Sequence, residues 1–386
     1  MIPASYSFRN IAKHRITSIL TILGIGLVVF VFSGSMMLTN GLTETMVASG
    51  YDENVTVIRQ ASQTEVQSII TYDQARIVSA LPEIALDEKG EPLFTNEVYV
   101  LITLKKLENG QDGNVIVRGV TANSLTIRPN IKIIEGGHWK NAGSEVIVGQ
   151  MLSERFENCH IGGKIRFGGR DWTVVGIFDG SGSGSDSEIW CDIDQAADAF
   201  RRPVYSSLTF RMADTSQFEA MKSRLAEDRR LPLEFLREKD YYARQSKTFS
   251  TFMGIIGNVI SVIFSLGAII GAMITMYAAV ANRLREIGTL RALGFGRFSI
   301  LVSFLFESMV ISLFGGMVGV AGAFFLNFVR LSTTNWDTFS ELAFNFSMSG
   351  SIVISALIFS VLMGLVGGFL PAVRASRLKI GDSWRA

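Results

Sequence analysis

Few side chains in this sequence are spaced for catalysis. A phosphate-binding loop needs Gly-x-x-x-x-Gly-Lys-Ser/Thr, so that backbone N–H groups and a lysine surround the phosphates, and no such run occurs. A zinc-hydrolase helix of the His-Glu-x-x-His type is missing too: His14, His138 and His160 are the only histidines and have no metal-site spacing. The serines of Gly-Ser-Gly-Ser-Gly-Ser at 180–185 never fall at the centre of Gly-x-Ser-x-Gly, so the run reads as a flexible loop and not as a nucleophile turn. Cys159 and Cys191 are the only cysteines; they read as unpaired small core residues, with a disulfide as the alternative in an oxidising compartment. No metal, cofactor or catalytic constellation is therefore expected on this chain.

What stands out instead is a polar island at 283–297, Arg-Leu-Arg-Glu-Ile-Gly-Thr-Leu-Arg-Ala-Leu-Gly-Phe-Gly-Arg. Residues 248–282 before it carry no charge, and 298–329 after it carry only Glu307. Leu284, Arg285, Glu286, Leu290, Arg291, Ala292 and Leu293 favour a short helix that Gly294 and Gly296 can end. Four arginines against one glutamate place this short connection in the cytoplasm.

Charge-free runs then define the membrane segments. Residues 16–38 alone would make about 34 Å of helix, enough to cross a bilayer and too long for the apolar centre of a cleavable signal peptide. Arg9, Lys13 and Arg15 precede that run, and 6–14 reads as a stretch lying along the cytoplasmic face. Further spans are expected at 248–282, 299–329 and 348–373, the last followed by Arg374, Arg377, Lys379 and Arg385. The positive-inside rule puts both termini in the cytoplasm and the insertion after the first span outside it. Within the spans, Gly267 and Gly271, Gly315 and Gly319, and Gly364 and Gly368 each sit four apart on one helix face and are expected to pack within one subunit. Glu307 is expected to pair with an arginine of the adjoining loop, not to relay protons.

Residues 44–247 are of another kind, with frequent charges, turn residues and no run near 20 apolar residues. Short β-branched stretches predict strands at 54–58, 98–104, 115–120, 145–148, 164–167 and 172–178. Helices are predicted at 72–80, 150–156, 192–200 and 215–227. The fold class is therefore an α-helical membrane protein with four transmembrane helices plus a large extracytoplasmic α+β domain inserted between the first and second. Its domains are 1–43, 44–247 and 248–386, the last containing the loop 283–297. With 386 residues, 48% of them hydrophobic, and a net charge of +1, nothing suggests a nucleic-acid surface.

The motif Arg-Leu-Arg-Glu-Ile-Gly-Thr-Leu-Arg-Ala-Leu-Gly at 283–294 resembles the signature of the FtsX-like and MacB-like permeases, the membrane subunits of a class of ABC transporters. The entry segment 10–25 and Pro-Ala-Val-Arg-Ala-Ser-Arg-Leu at 371–378 are similar to that family as well, whereas the tail 379–385 departs from it. The resemblance implies that the loop is a coupling helix docking on a separate ATPase, with Arg283, Glu286, Ile287, Leu290 and Arg291 in the contact. It implies ATP and Mg bound on that partner and none here, a second permease copy or homologous permease, a bacterial inner membrane and its lipids, and in some members a periplasmic adaptor. The implied work is mechanotransmission: ATPase closure rocks the helices and a stalk before residue 282 passes the movement outward. Three readings stay open: export or extraction of a hydrophobic or lipidic substrate, a signalling permease that activates a partner such as a cell-wall hydrolase, and a membrane-anchored enzyme.

The topology is testable by itself. A reporter active only outside the cytoplasm is expected to work when inserted at Gly182 and to fail after Ala386, and the reverse at either site would refute the four-span arrangement.

Overall fold

The computed structural model describes residues 15–140 and 143–378. The stretch 6–14 with Arg9, Lys13 and His14, and the tail 379–386, lie outside the described residues. Helix α1 (Arg15–Val47) leads into β1 (Asn54–Arg59), α2 (Tyr72–Ser79), β2 (Phe94–Lys105), β3 (Asp112–Val120), α3 (Asn123–Ile127), β4 (Lys132–Gly136), β5 (Glu145–Gly149) and α4 (Gln150–Ser153). Then follow β6 (Lys164–Phe167), β7 (Arg170–Asp179), β8 (Glu188–Asp192), α5 (Ile193–Ala199), β9 (Ser207–Arg211), α6 (Phe218–Ala226) and β10 (Leu233–Arg237). The remainder is α7 (Glu238–Asn282), α8 (Leu284–Ala292), α9 (Arg297–Phe324), the strands β11 (Arg330–Thr334) and β12 (Glu341–Asn345), and α10 (Gly350–Arg377). Four helices, α1, α7, α9 and α10, are long and apolar enough to cross a membrane.

The chain divides into two compact units. One holds the residues up to Gly41, Thr251–Val329 and the chain from Phe346; the other holds Leu42–Ser250 and Arg330–Asn345. The second unit is α+β. Its ten-stranded sheet runs β10-β1-β9-β2-β3-β8-β5-β7-β4, with β6 beside β7. Most pairs are antiparallel, but β3 with β8 and β5 with β7 are parallel.

Local signals explain the helices. Thr71 and Gln74 form a reciprocal capping box at α2, Asp192 accepts from the backbone N–H groups that open α5, and Asp214 does the same for the turn before α6. The sheet then carries several apolar clusters, among them one of Val120, Ile147, Phe178 and Trp190 and two nearer its ends. Val57, Ile70, Val78, Phe210, Met221 and Phe235 pack at the β1–β9–β10 end. Val117, Val148, Phe156, Trp172, Ile189 and Cys191 pack at the other.

Between these cores the sheet's centre is ionic. Strand alternation turns Val115 and Val117 into a core and Arg118 to the opposite face, beside Tyr99 and Trp190 on the flanking strands. Arg118 grips Glu188 with two bonds, Nε–Oε2 at 2.8 Å and Nη2–Oε1 at 2.6 Å, and reaches Glu97 at 3.1 Å. Arg128, just after α3, bonds the other oxygen of Glu97 at 2.7 Å and Glu238 at 2.8 Å. Glu238 is the first residue of α7, and its second oxygen accepts from the Asn54 side chain at 2.8 Å and the Tyr51 N–H at 3.1 Å. All five charged groups are buried.

Three features differ from the sequence reading. Strands β4, β8, β9 and β10 were not predicted, because they are short and carry Lys, Glu, Ser or Arg among few β-branched residues. The 180–187 run is ordered and not a free loop: Asp186 accepts from Gly180 N–H at 2.5 Å and Gly182 N–H at 2.9 Å, and Ser183, Ser185 and Ser187 are buried. Residues 330–345, read as a plain connection between two spans, form a β-hairpin that belongs to the α+β unit. Ion pairs hold it there, Lys106 with Glu341 and Arg330 with Glu154 at 2.6 Å, together with an edge-on contact of Trp336 with Phe249.

Removing one side of the ionic centre is expected to be severe. Arg118→Met leaves Glu97 and Glu188 buried with less compensation, which costs about 3–5 kcal/mol, and the thermal midpoint of the solubilised chain should drop by roughly 10 °C. An unchanged midpoint would show that the ion pairs do not hold the sheet together.

Candidate coupling site

Helix α8 spans the polar island, and Gly294 just beyond it adopts φ +94°, the left-handed stop that a Cβ would oppose. The residue just before it turns inward. Arg283 is 3% exposed, donates from Nη1 to Glu307 Oε2 at 3.0 Å and lies 5.5 Å from the Phe304 ring centroid. The pairing expected for Glu307 is therefore present, and it ties the start of α8 to α9. Ile287 is 2% exposed and packs among Met276, Val280, Ile300, Phe304 and Ala375.

Two of the expected ATPase contacts, Arg283 and Ile287, are thus buried against the helical unit, where the three-residue apolar spacing brings Ile287 onto the bundle side. Leu290 and Arg291 are half-buried, and Glu286 is exposed. The most open apolar side chains lie further along, Leu293 at 72% and Phe298 at 73% exposure, on either side of the Gly-Phe-Gly turn. Leu293 was present in the sequence as an apolar residue within the polar island and Phe298 as the aromatic residue at its edge, the one signal that could have singled them out.

The glycine pairs separate into two kinds. A Cβ at Gly315 would lie 2.9 Å from Ile25 Cβ, and one at Gly319 2.5 Å from the Gly26 carbonyl oxygen, so this pair is where α1 crosses α9. Gly364 and Gly368 likewise receive Ser312 and Ser308 of α9, and the Ser308 hydroxyl donates to the Gly364 carbonyl. Gly267 and Gly271 differ from the expectation of packing within one subunit. Nothing lies within 4 Å of a Cβ added at either, and the α7 face they share is open.

At its other end α7 is locked into the α+β unit. Besides Glu238, Tyr242 OH meets Arg118 Nη2 at 3.3 Å, and Tyr241 OH donates to the buried carboxyl of Glu65, which Gln245 Nε2 also reaches at 3.2 Å. The residues 241–247, read as a stalk, are helical, but Tyr241, Tyr242, Gln245 and Ser246 are buried. Burial pushes the Glu65 carboxyl above its ordinary value, against the lowering effects of Arg118 and the Tyr241 hydrogen bond. Ser49, just past α1, accepts from Gly184 N–H at 2.8 Å, and Ser187 Oγ accepts from Ala343 N–H of the hairpin at 3.2 Å. Thus the α1 end, the α7 start and the hairpin are all bonded to the sheet or to the 180–187 turn.

Cys159 and Cys191 are both free, buried in one core cluster. Burial pushes the Cys159 thiol up to about 12 and raises Cys191 as well, so neither has thiolate character. Among the described residues, no group of three or more His, Cys, Asp or Glu is placed to hold a metal ion.

Apolar spanning helices, an attached α+β unit and a short basic helix between two spans define a multi-pass permease-type membrane protein. Residues 18–228 match the MacB-like periplasmic core domain and residues 258–380 the FtsX-like permease C-terminal domain. The chain belongs to this MacB-like, FtsX-like permease family. The macrolide export ATP-binding/permease protein MacB of Vibrio parahaemolyticus is 26% identical over 391 residues, covering 95% of this chain and 57% of that protein. An ABC transporter permease of Methanocaldococcus jannaschii is 22% identical over 405 residues, covering 97% of this chain and 95% of that one. The periplasmic region of MacB from Actinobacillus actinomycetemcomitans aligns over 50% of this chain and 92% of that chain at 11% identity, with a TM-score of 0.38. The chain spans little more than half the length of the Vibrio relative.

Glu65 makes the α7 anchorage sensitive to pH. Its folded-state value lies above the ordinary 4.5, so its contribution is complete below pH 4.5 and is lost as pH rises through the folded value, at no more than about 1.4 kcal/mol per pH unit. Glu65→Gln keeps a neutral acceptor for Tyr241. Unfolding midpoints measured from pH 4 upward should show the variant gaining on the parent chain as pH rises, and parallel curves would rule the effect out.

Proposed function

We propose that this chain is the permease half of an ABC transporter, a non-catalytic membrane subunit in a bacterial inner membrane with both termini in the cytoplasm. ATP and Mg are bound by separate ATPase subunits, and closure of those subunits moves the α+β domain outside the cytoplasm. The observation that carries this reading is the continuity of α7. One 45-residue helix, about 68 Å long, begins at Glu238 in the buried ionic centre and ends at Asn282, next to Arg283 and its bond to Glu307. A continuous helix anchored at its start by buried charges and ending beside a docking helix is suited to pass on displacement.

The ATPase contact is assigned to the exposed side of the loop, Glu286, Leu293 and Phe298 with Arg285 beside them, while Leu290 and Arg291 border it. Contact energy concentrates in a few such residues, and large apolar side chains ringed by charge suit that role. A second permease copy meets the open α7 face at Gly267 and Gly271, where two backbones can approach closely. Export or extraction of a hydrophobic or lipidic substrate is the reading supported by the names of the macrolide-export relatives, with a periplasmic adaptor as a further partner.

Substitution separates docking from folding. Phe298→Asp and Leu293→Asp put a charge into a contact that closes only on the partner, so yield and membrane insertion should stay normal while ATPase co-purification falls at least tenfold. Ile287→Asp, by contrast, buries a charge inside the helical unit and should reduce yield itself. Unchanged ATPase binding by the Phe298 and Leu293 variants would overturn the assignment.

A further inference from the structure

At the ends of α9 and α10 remote from Arg297 and Arg377, Met317, Ala321 and Phe324 on one side and Met348, Val353 and Leu357 on the other line a groove of about 460 Å³. No lining residue has a charged, hydroxyl or amide side chain. The volume is that of a small-ligand site. Both helices are membrane spans, so the solvent around the groove is hydrocarbon and its occupant must be apolar along its length.

Two details select the kind of occupant. The walls are bulky and pliable, two methionines and two phenylalanines, where a packed helix would ask for small residues that let backbones close in. One end of the groove is polar. Met348 N–H donates to Asn327 Oδ1 at 3.2 Å, and at the adjoining start of α10 the hydroxyls of Ser349 and Ser351 lie 2.9 Å apart and open to the surroundings. Phe325 and Phe328 stand exposed on the turn after α9, the position that aromatic side chains favour at a membrane surface. An apolar trough that ends in hydroxyls matches an amphiphile lying along the bilayer normal.

We propose that this groove seats one acyl chain of a phospholipid, with its head group level with Ser349 and Ser351. The assignment rests on the membrane placement of α9 and α10 and is independent of the ATPase contact. Because lipid tails are as apolar as the groove, the preference comes from shape, and its size is modest, about fivefold over general lipid contact.

The test uses the full chain reconstituted in phosphatidylcholine vesicles that contain a trace of phosphatidylcholine bearing a photoreactive diazirine on one acyl chain, with adducts located by peptide mass spectrometry. Residues 317–325 and 348–357 should be labelled about fivefold more, per exposed residue, than 362–370, the exposed apolar stretch of α10 outside the groove. Ala321→Trp fills the groove from α9 at an exposed position, and Val353→Phe fills it from α10. Either should abolish the excess, whereas Val366→Trp, exposed on α10 outside the groove, should leave it intact. Labelling that follows exposure alone, or an excess that survives both filling variants, would reduce the groove to ordinary lipid contact and overturn the proposal. Protection of the groove peptides together with cross-links between copies would overturn it in favour of a protein interface.

Discussion

Arg118 and Arg128 are held out of water by Glu97, Glu188 and Glu238 at the centre of the sheet, and the rest of the α+β unit is arranged around that cluster. Taking five charges out of water is costly, and the cost is offset only because both guanidinium forks and all three carboxylates find partners at hydrogen-bond distance. Two apolar clusters sit on either side, and the ionic centre reinforces the β9–β2–β3–β8 ladder that joins the β1–β9–β10 end of the sheet to the β5–β7–β8 end. An apolar filling of equal volume would bury area as well. It would not fix the first turn of α7, whereas Glu238, bonded to Arg128, Asn54 and the Tyr51 N–H, does so directionally.

The helical unit obeys a different physics. Lipid supplies no hydrophobic drive for helices to associate, so close approach and a few polar bonds must do it. Gly315 and Gly319 let α1 lie against α9, Gly364 and Gly368 let α9 lie against α10, and Arg283 with Glu307 pins the short helix α8 to the same bundle. That ion pair explains how an acid inside a membrane span is tolerated. It also explains why the first arginine of the basic loop is absent from the loop's exposed face.

The hairpin β11–β12 and the 180–187 turn show how short polar segments acquire structural roles. Neither has the composition of a stable element: the hairpin is held by Lys106 to Glu341 and by Asn114 to the Phe339 carbonyl, and the turn by Asp186 within it and by Ser49, which accepts from Gly184 N–H. Partners more than a hundred residues away leave no periodicity in the segment itself. For the same reason the strands at 188–192 and 207–211 were illegible, since Glu188 and Ser207 are buried by their bonds and not by their side-chain type.

Long-range order in hydropathy and charge is a property of the chain alone, and it was enough to define the four apolar helices, the soluble insertion, the basic loop and its short helix ending at Gly294. Bilayer thickness and the cost of burying charge act on every residue independently of its neighbours in space, so these features can be read one stretch at a time. Which way a side chain faces is not such a property. Ile287 and Leu293 look equivalent in the sequence, yet packing against Ile300 and Phe304 buries the first and leaves the second open. Gly267 and Gly315 begin identical spacings, and only the path of α1 beside α9 makes one a contact and the other a free surface. Arg118 was visible as a lone charge within the apolar run 115–120, but its two acidic partners, Glu97 and Glu188, come from β2 and β8 and are brought together only when the sheet forms.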